Sequence, residues 1–284
     1  RSTLIALAAL LMLPSVLAQP VRVGIVTFLS GPAAGPFGVP ARNAAELMVE
    51  ALNAGTVQAP YATKGFGGNP IELVIIDEAG GTQKQVAEFR NLAQRVDMVI
   101  GYISSGDCLG IAPVAEELKK LTVLFDCGTP RIFEDASYKY VFRTGPHATL
   151  DSVSTALYLL EKHPKVQSIA GINQNYAWGQ DSWTDFEAAV KAMKPGIEVK
   201  TSQMTKLYSG QFGAEISTLM SSGAEVIHSS FWGGDLEGLV LQGAPRGLFQ
   251  KHIVVLSAGE PAINRLGTKI PEGTIIGARG PFGP

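Results

Sequence analysis

The sequence predicts an α/β protein built as two Rossmann-like lobes, each a parallel sheet covered by helices. Three observations carry this expectation. Short apolar runs alternate with amphipathic helical stripes along nearly the whole chain, the pattern of layered parallel folds. The runs are apolar at consecutive positions, as strands covered on both faces must be. The alternation restarts after Gly145-Pro146, so one lobe is predicted over 19–144 and a second over 145–276. A length of 284 residues lies where single cores stop growing and chains divide.

Val21 to Phe28 is the first predicted strand, followed by the loop Ser30-Gly31-Pro32-Ala33-Ala34-Gly35. A helix then opens near Pro40, carries Ala44, Leu47, Met48, Ala51 and Leu52 on one face, and closes at Gly55. Ile71 to Ile76 is the second strand, ending in Asp77-Glu78, and its helix presents Val86, Phe89, Ala93 and Val96. Met98 to Ile103 leads into a helix with Ile111, Val114, Ala115 and Leu118; Thr122 to Phe125 and Tyr140 to Thr144 complete the first series. The second series runs through a helix at Leu150 to Leu160, a strand at Val166 to Ile172, and a helix with Trp183, Phe186 and Val190. A strand near Ile197, a helix with Phe212, Ile216 and Leu219, and the strand Val226-Ile227 follow. A helix with Leu236, Leu239 and Val240, the strand Ile253 to Leu256 and an extended piece at Gly273 to Gly277 end it.

Ahead of both lobes, Leu4 to Leu13 is an apolar run ended by Val16-Leu17-Ala18-Gln19. It is too short to span a bilayer and reads as a signal peptide over 1–18, with a buried N-terminal helix as the alternative. Because the chain opens on Arg1, a basic n-region is expected to precede it. Export to a periplasm is the expectation. The balance of 23 basic and 25 acidic residues excludes the electrostatic footprint of nucleic-acid or membrane-surface binding.

The two cysteines, Cys108 and Cys127, fall just past the ends of successive strands, which a parallel sheet brings together. In an exported chain this predicts one disulfide, worth ~3 kcal/mol for a loop of about twenty residues. Two buried reduced cysteines are the alternative.

Catalytic patterns are missing. There is no Walker lysine, dinucleotide glycine fingerprint, His-Glu-x-x-His or zinc cysteine set, and Ser105 lacks the Gly-x-Ser-x-Gly frame of a hydrolase. His163 and His252 are expected at the surface and His228 in the core as a satisfied residue. No enzyme activity, cofactor or metal is expected.

The chemistry that remains is binding. Met98-Val99-Ile100 runs into Gly101-Tyr102-Ile103-Ser104-Ser105-Gly106-Asp107 and then a helix, a corner where hydroxyls and N–H groups suit an anion. In open parallel sheets ligands bind beyond the carboxyl ends of the strands. Ser30, Asp77, Ser104, Ser105, Thr129, Asn175 to Trp178 and Trp232 to Asp235 all fall there. Tyr102, Tyr176, Trp178, Phe231 and Trp232 lie near the same ends, where some of them are expected to wall an apolar pocket.

The chain resembles the periplasmic solute-binding proteins of ABC transporters, in particular the leucine/isoleucine/valine-binding family with its type I periplasmic-binding architecture. The resemblance rests on Ser30-Gly31-Pro32, Glu50 to Gly55, Ile76-Asp77-Glu78, the Gly101 to Pro113 serine loop, Cys127-Gly128-Thr129-Pro130, Phe142-Arg143-Thr144 and Asn175 to Gly179, taken in order. It implies that Ser105 holds a ligand carboxylate, with Cys127 offering a carbonyl and Thr129 a hydroxyl, while Asp235 in the second lobe pairs with an ammonium. The plainer uses stand beside these: Ser105 and Asp235 as helix caps, Thr129 as a turn residue, Asp77 as structural and Asp107 as a cap.

The resemblance further implies a monomer that closes on an amino acid, branched-chain or related, about hinges near Thr144-Gly145 and 277–280, and delivers it to a membrane permease. Trp178 stands where the family often has tyrosine, and Gly106-Asp107 replaces small hydroxyl residues. Aromatic or aliphatic carboxylates or amides are therefore the alternative cargo, and a ligand sensor on the same fold the alternative role. The resemblance also implies that residues 277–284 begin a crossing back to the first lobe, with a further stretch beyond Pro284.

Overall fold

A computed structural model describes residues 19–279. The expected signal segment and residues 280–284 lie outside the described residues. Strands β1 (Val21–Thr27), β2 (Ile71–Asp77), β3 (Met98–Gly101), β4 (Thr122–Leu124) and β5 (Val141–Arg143) form a parallel sheet in the order β2-β1-β3-β4-β5. Strands β6 (Ser168–Gln174), β7 (Glu198–Thr205), β8 (Val226–Ser229), β9 (Ile253–Leu256) and β10 (Ile275–Ile276) form a second, ordered β10-β9-β8-β6-β7. Read from its other edge, the second order is the first shifted by five strands. Each sheet therefore has a switch point, beside β1 in one and β6 in the other, and a crevice forms where such strands end.

The first sheet carries α1 (Val39–Ala54), α2 (Thr82–Ala93), α3 (Ser105–Glu117) and the short α4 (Arg131–Glu134). The second carries α5 (Ala148–Lys162), α6 (Ala177–Met193), α7 (Gly213–Ser221), α8 (Gly233–Gly243), α9 (Leu248–Lys251) and α10 (Glu260–Leu266). The two short helices α4 and α9 and the π-helical turn at Ala34–Gly38 escape a periodicity argument because each spans about one turn. The seven-residue α10 has only two buried positions, Ala262 and Leu266, too few to define a stripe.

The predicted stripes are core faces in most helices. Phe89, Leu92, Ile111 and Ala115 pack with Val26, Val99 and Leu124 in the first lobe. In the second, Ile216, Leu219, Leu236 and Leu239 cover one side of the sheet, and Leu159, Phe186 and Val190 the other. Burial of each large apolar side chain contributes about 1.5–3 kcal/mol. The stripe of α1 is different: Leu47 and Met48 are 69% and 53% exposed, and no residue of the helix is buried. Of the predicted stripe only Ala51 and Leu52, at its C-terminal end, are half-buried. Its predicted ends hold, with Pro40 in the first turn and Gly55 left-handed at φ 71°. Leu118 caps α3 instead of joining its apolar face and is 38% exposed.

Two histidines differ from expectation. His252 is buried, with Nδ1 2.7 Å from the Ala224 carbonyl oxygen. His228 lies in the core but is unsatisfied: neither ring nitrogen has a partner, and the ring stacks on Phe186 with centroids 4.2 Å apart. Burial pushes its pKa down to about 3. A disulfide joins Cys108 on α3 to Cys127 after β4, with Cα atoms 6.2 Å apart.

Candidate ligand site

The corner after β3 is already filled by a carboxyl group of the protein itself. The Glu78 carboxylate, fully buried, accepts from the Ile103 N–H at 2.9 Å and the Ser104 N–H at 2.7 Å. The Asp107 N–H donates to Ser104 Oγ, which makes Ser104 and not Ser105 the cap of α3. Burial, opposed by these N–H groups, holds the pKa of Glu78 well above the usual carboxylate range. The free donors read from the sequence are thus spent on holding the corner in shape. Glu78 was legible only as part of a strand end, because its buried carboxylate depends on a fold that brings β2 and β3 to either side of β1.

Ser105 faces the other way. It is 1% exposed, its hydroxyl oxygen accepts from the Thr129 N–H at 3.1 Å, and it lines a cavity of about 30 Å³ between the lobes. Both switch points contribute walls: Ile103 from the first lobe, Tyr176, Trp178 and Trp232 from the second. Phe37, from the turn before α1, meets Trp232 edge-on at 5.3 Å. Trp178 Nε1 donates to the Ser230 carbonyl at 2.8 Å and Trp232 Nε1 to the Tyr176 hydroxyl at 2.7 Å, so these rings are fixed. Gly128 makes room for Trp178, since a Cβ there would lie 2.3 Å from its ring.

The polar end of the cavity holds Asp126 and Arg279, which the sequence reading missed. Arg279 lies over Trp178 at 4.9 Å and donates to Asp126 at 2.6 Å and to Asp151 at 2.6 Å. Burial pushes the pKa of Asp126 up to about 6 even though Arg279 pulls the other way. Glu260, on α10, is also raised by burial, and its Oε2 is buried without a partner. Arg143 does not reach this group; it donates to the carbonyls of Cys127 and Thr129. The only signal for Arg279 in the sequence is an isolated arginine after the last extended piece.

Of the residues singled out from the sequence, Ser105, Tyr176, Trp178 and Trp232 come together at this cavity. Four others do not. Tyr102 is fully buried in the first lobe's core, 6.5 Å from Phe89. The Cys127 carbonyl is taken by Arg143 at 3.2 Å. The Thr129 hydroxyl donates to Asp181 at 2.6 Å, a contact between the lobes that Arg131 shares by donating to the same carboxylate at 2.8 Å. Asp235 accepts from Gln174 Nε2 (2.8 Å) and from the N–H groups of Tyr208 (2.7 Å) and Gly210 (3.2 Å), which uses its oxygens to fold a loop. Asp77 is structural as expected, accepting from Leu29, Ser30 and Ala79, and Asp107 accepts from Thr82 at 2.6 Å.

Two lobes of matching topology thus meet over a walled cavity at their facing switch points, the place where open parallel sheets bind ligands. The chain matches the periplasmic binding protein family over residues 20–282, and it belongs to that family. Among solved structures it is similar to an ABC-transporter solute-binding protein from R. palustris in complex with 4-hydroxybenzoate: TM-score 0.74, 22% identity, covering 88% of this chain and 66% of that one. It is similar to an amino acid ABC transporter substrate-binding protein from Pseudomonas fluorescens, with TM-score 0.77, 20% identity and coverage of 92% and 67%. It is also similar to a leucine-, isoleucine-, valine-, threonine- and alanine-binding protein from Brucella ovis in its closed conformation, with TM-score 0.69, 21% identity and coverage of 89% and 64%. This chain thus spans about two thirds of the length of these proteins. No curated protein matches it. Among the described residues no helix is long and apolar enough to cross a membrane.

Proposed function

We propose that this chain is the solute-capturing component of an ABC importer, exported to the periplasm and working with a membrane permease. Its cargo on this reading is a small organic acid with a flat apolar body, such as an aromatic carboxylate. One observation carries the choice of cargo: the guanidinium of Arg279, stacked on Trp178, stands at the polar end of a slot whose sides are the rings of Phe37, Tyr176, Trp178 and Trp232. A ring slides between the aromatic walls while its carboxylate meets Arg279 and the Ser105 hydroxyl; charge-assisted bonds of this kind are roughly twice as strong as neutral ones. Asp126, its pKa pushed up to about 6 by burial, takes up a proton as the ligand binds and becomes a donor to it. The cavity of about 30 Å³ is far below the ~300–1,000 Å³ of small-molecule sites, so the lobes part to admit cargo and close on it.

The second reading, an amino acid, is favoured by the same Asp126, which in its ionised form suits an ammonium. Isothermal titration of the full mature protein with benzoate, 4-hydroxybenzoate, phenylalanine and leucine separates the two. The organic-acid reading expects the benzoates to bind and the amino acids to bind at least about tenfold more weakly; the reverse order overturns it.

A further inference from the structure

The lobes touch at the cavity through a residue with no side chain. Gly128, buried in the loop after β4, faces the second lobe: a Cβ built on it would lie 2.3 Å from Cε3 and 2.5 Å from Cζ3 of Trp178, and 3.1 Å from Nη2 of Arg279. Its carbonyl accepts from the Ala148 N–H at 2.7 Å, where the chain has just crossed from β5 to α5. Its backbone is not left-handed, so conformation does not call for glycine here. The approach of the other lobe does.

Neither partner in this contact yields easily. Trp178 is 4% exposed, bonded through Nε1 to the Ser230 carbonyl and covered by the Arg279 guanidinium. Gly128 stands between Cys127, tied to α3 by the disulfide, and Thr129, whose N–H is bonded to Ser105. Carbon atoms rest ~3.5–4.0 Å apart, so a methyl group at 128 parts the lobes at this point by roughly 1 Å or more. Gly128, Trp178 and Arg279 all line the cavity, and the shift is therefore felt by the cargo. A wall withdrawn by ~0.5–1 Å forfeits roughly a quarter to a half of each van der Waals contact it makes with a flat ring. A thicker, puckered ring fills the same gap.

We infer that Gly128 sets the thickness of ring the slot accepts: because it has no side chain, Trp178 and Arg279 lie directly on the first lobe's backbone, and the slot grips a flat aromatic ring while rejecting a puckered one. This rests on the organic-acid reading above and adds the residue that makes the site selective. The contact is bonded to Ala148 beside the crossing between the lobes, so it acts as a pivot that stays made while the lobes part elsewhere to admit cargo. Gly128 is a positioning residue, acting on the cargo through Trp178.

The test is isothermal titration of the full mature protein with benzoate and cyclohexanecarboxylate, which share a carbon skeleton and a charge and differ in ring thickness. The wild-type protein is expected to bind benzoate at least about tenfold more tightly. Gly128→Ala is expected to bring the two acids within about twofold of each other. Adding Trp178→Phe, whose smaller ring leaves room for the methyl group, is expected to restore a preference for benzoate of at least about fivefold, whether or not the single variant folds. Equal binding of the two acids by the wild-type protein, a preference that Gly128→Ala leaves unchanged, or one that the second substitution fails to restore overturns the role of Gly128 and leaves the organic-acid reading standing. Binding of neither acid by the wild-type protein overturns both.

Discussion

The Arg279 guanidinium donates to Asp126 at 2.6 Å, tying the segment that leaves the second sheet to the loop that follows β4 in the first. The same guanidinium donates to Asp151 on α5. One cation thus joins carboxylates of both lobes at the edge of the cavity, and closure is held partly by the protein's own charges.

Removing that cation should be costly. The side chains of Arg279, Asp126 and Asp151 are 15%, 20% and 7% exposed, and breaking a buried pair by deleting one partner typically costs about 3–5 kcal/mol. Arg279→Met is therefore expected to lower stability by that order in urea unfolding and to abolish benzoate binding. A loss below about 1 kcal/mol, the scale of exposed pairs, would contradict the latch.

Asp235→Ala should act on the fold of one loop. It leaves the N–H groups of Tyr208 and Gly210 without their acceptor, at about 1–3 kcal/mol. Amide hydrogen exchange should then quicken at 207–210 with little change at Ile103 and Ser104, whose N–H groups Glu78 holds. Unchanged protection at 207–210 would contradict the positioning role.

His228 makes the second lobe acid-sensitive. Its folded pKa of about 3 lies below the unfolded value of about 6.5, so the unfolded chain binds the extra proton between those limits. The contribution is fully present above pH ~6.5 and is lost at up to about 1.4 kcal/mol per unit as pH falls towards 3. His228→Leu, which keeps an apolar group against Phe186, should flatten this slope in urea unfolding series from pH 7 to 4. An unaltered slope would assign the sensitivity elsewhere.

The link between Cys108 and Cys127 closes a loop with a sequence separation of 19, for which chain entropy gives ~3 kcal/mol. Thiol titration of the unfolded, unreduced protein should find no reactive thiol. The Cys108→Ala/Cys127→Ala double variant should unfold with a stability lower by that amount.

Much of this was legible from the sequence for a physical reason: strands buried on both faces and helices with one apolar stripe each leave a periodic trace. The two-lobe division, the strand sequence from Val21 to Ile276 and the pairing of two cysteines at neighbouring strand ends came from that trace. The site was only half legible. Ser105, Tyr176, Trp178 and Trp232 sit at strand ends, and position alone marks them. Whether a polar side chain there faces the cleft or serves the backbone depends on partners far away in sequence, which is why the resemblance gives Asp235 and Thr129 to a ligand while their bonds go to Tyr208 and Asp181. Glu78 and Arg279 went unrecognised for the same reason, since their meaning arises only when Ile103 and Asp126 are brought to them.

The central claim is that a carboxylate enters beside Asp126, and proton linkage tests it most directly. Asp126, pushed up to about 6 by burial, faces Arg279, with Asp151 and Glu260 also nearby. A bound carboxylate raises its pKa further, so binding takes up a proton, and affinity is greatest below pH 6 and falls as pH rises through it. Isothermal titration with benzoate from pH 5 to 8, in buffers of different ionisation heat, should show this proton uptake and its disappearance in Asp126→Asn. Proton release with affinity rising with pH, or no benzoate binding at any pH in the range, would contradict the account.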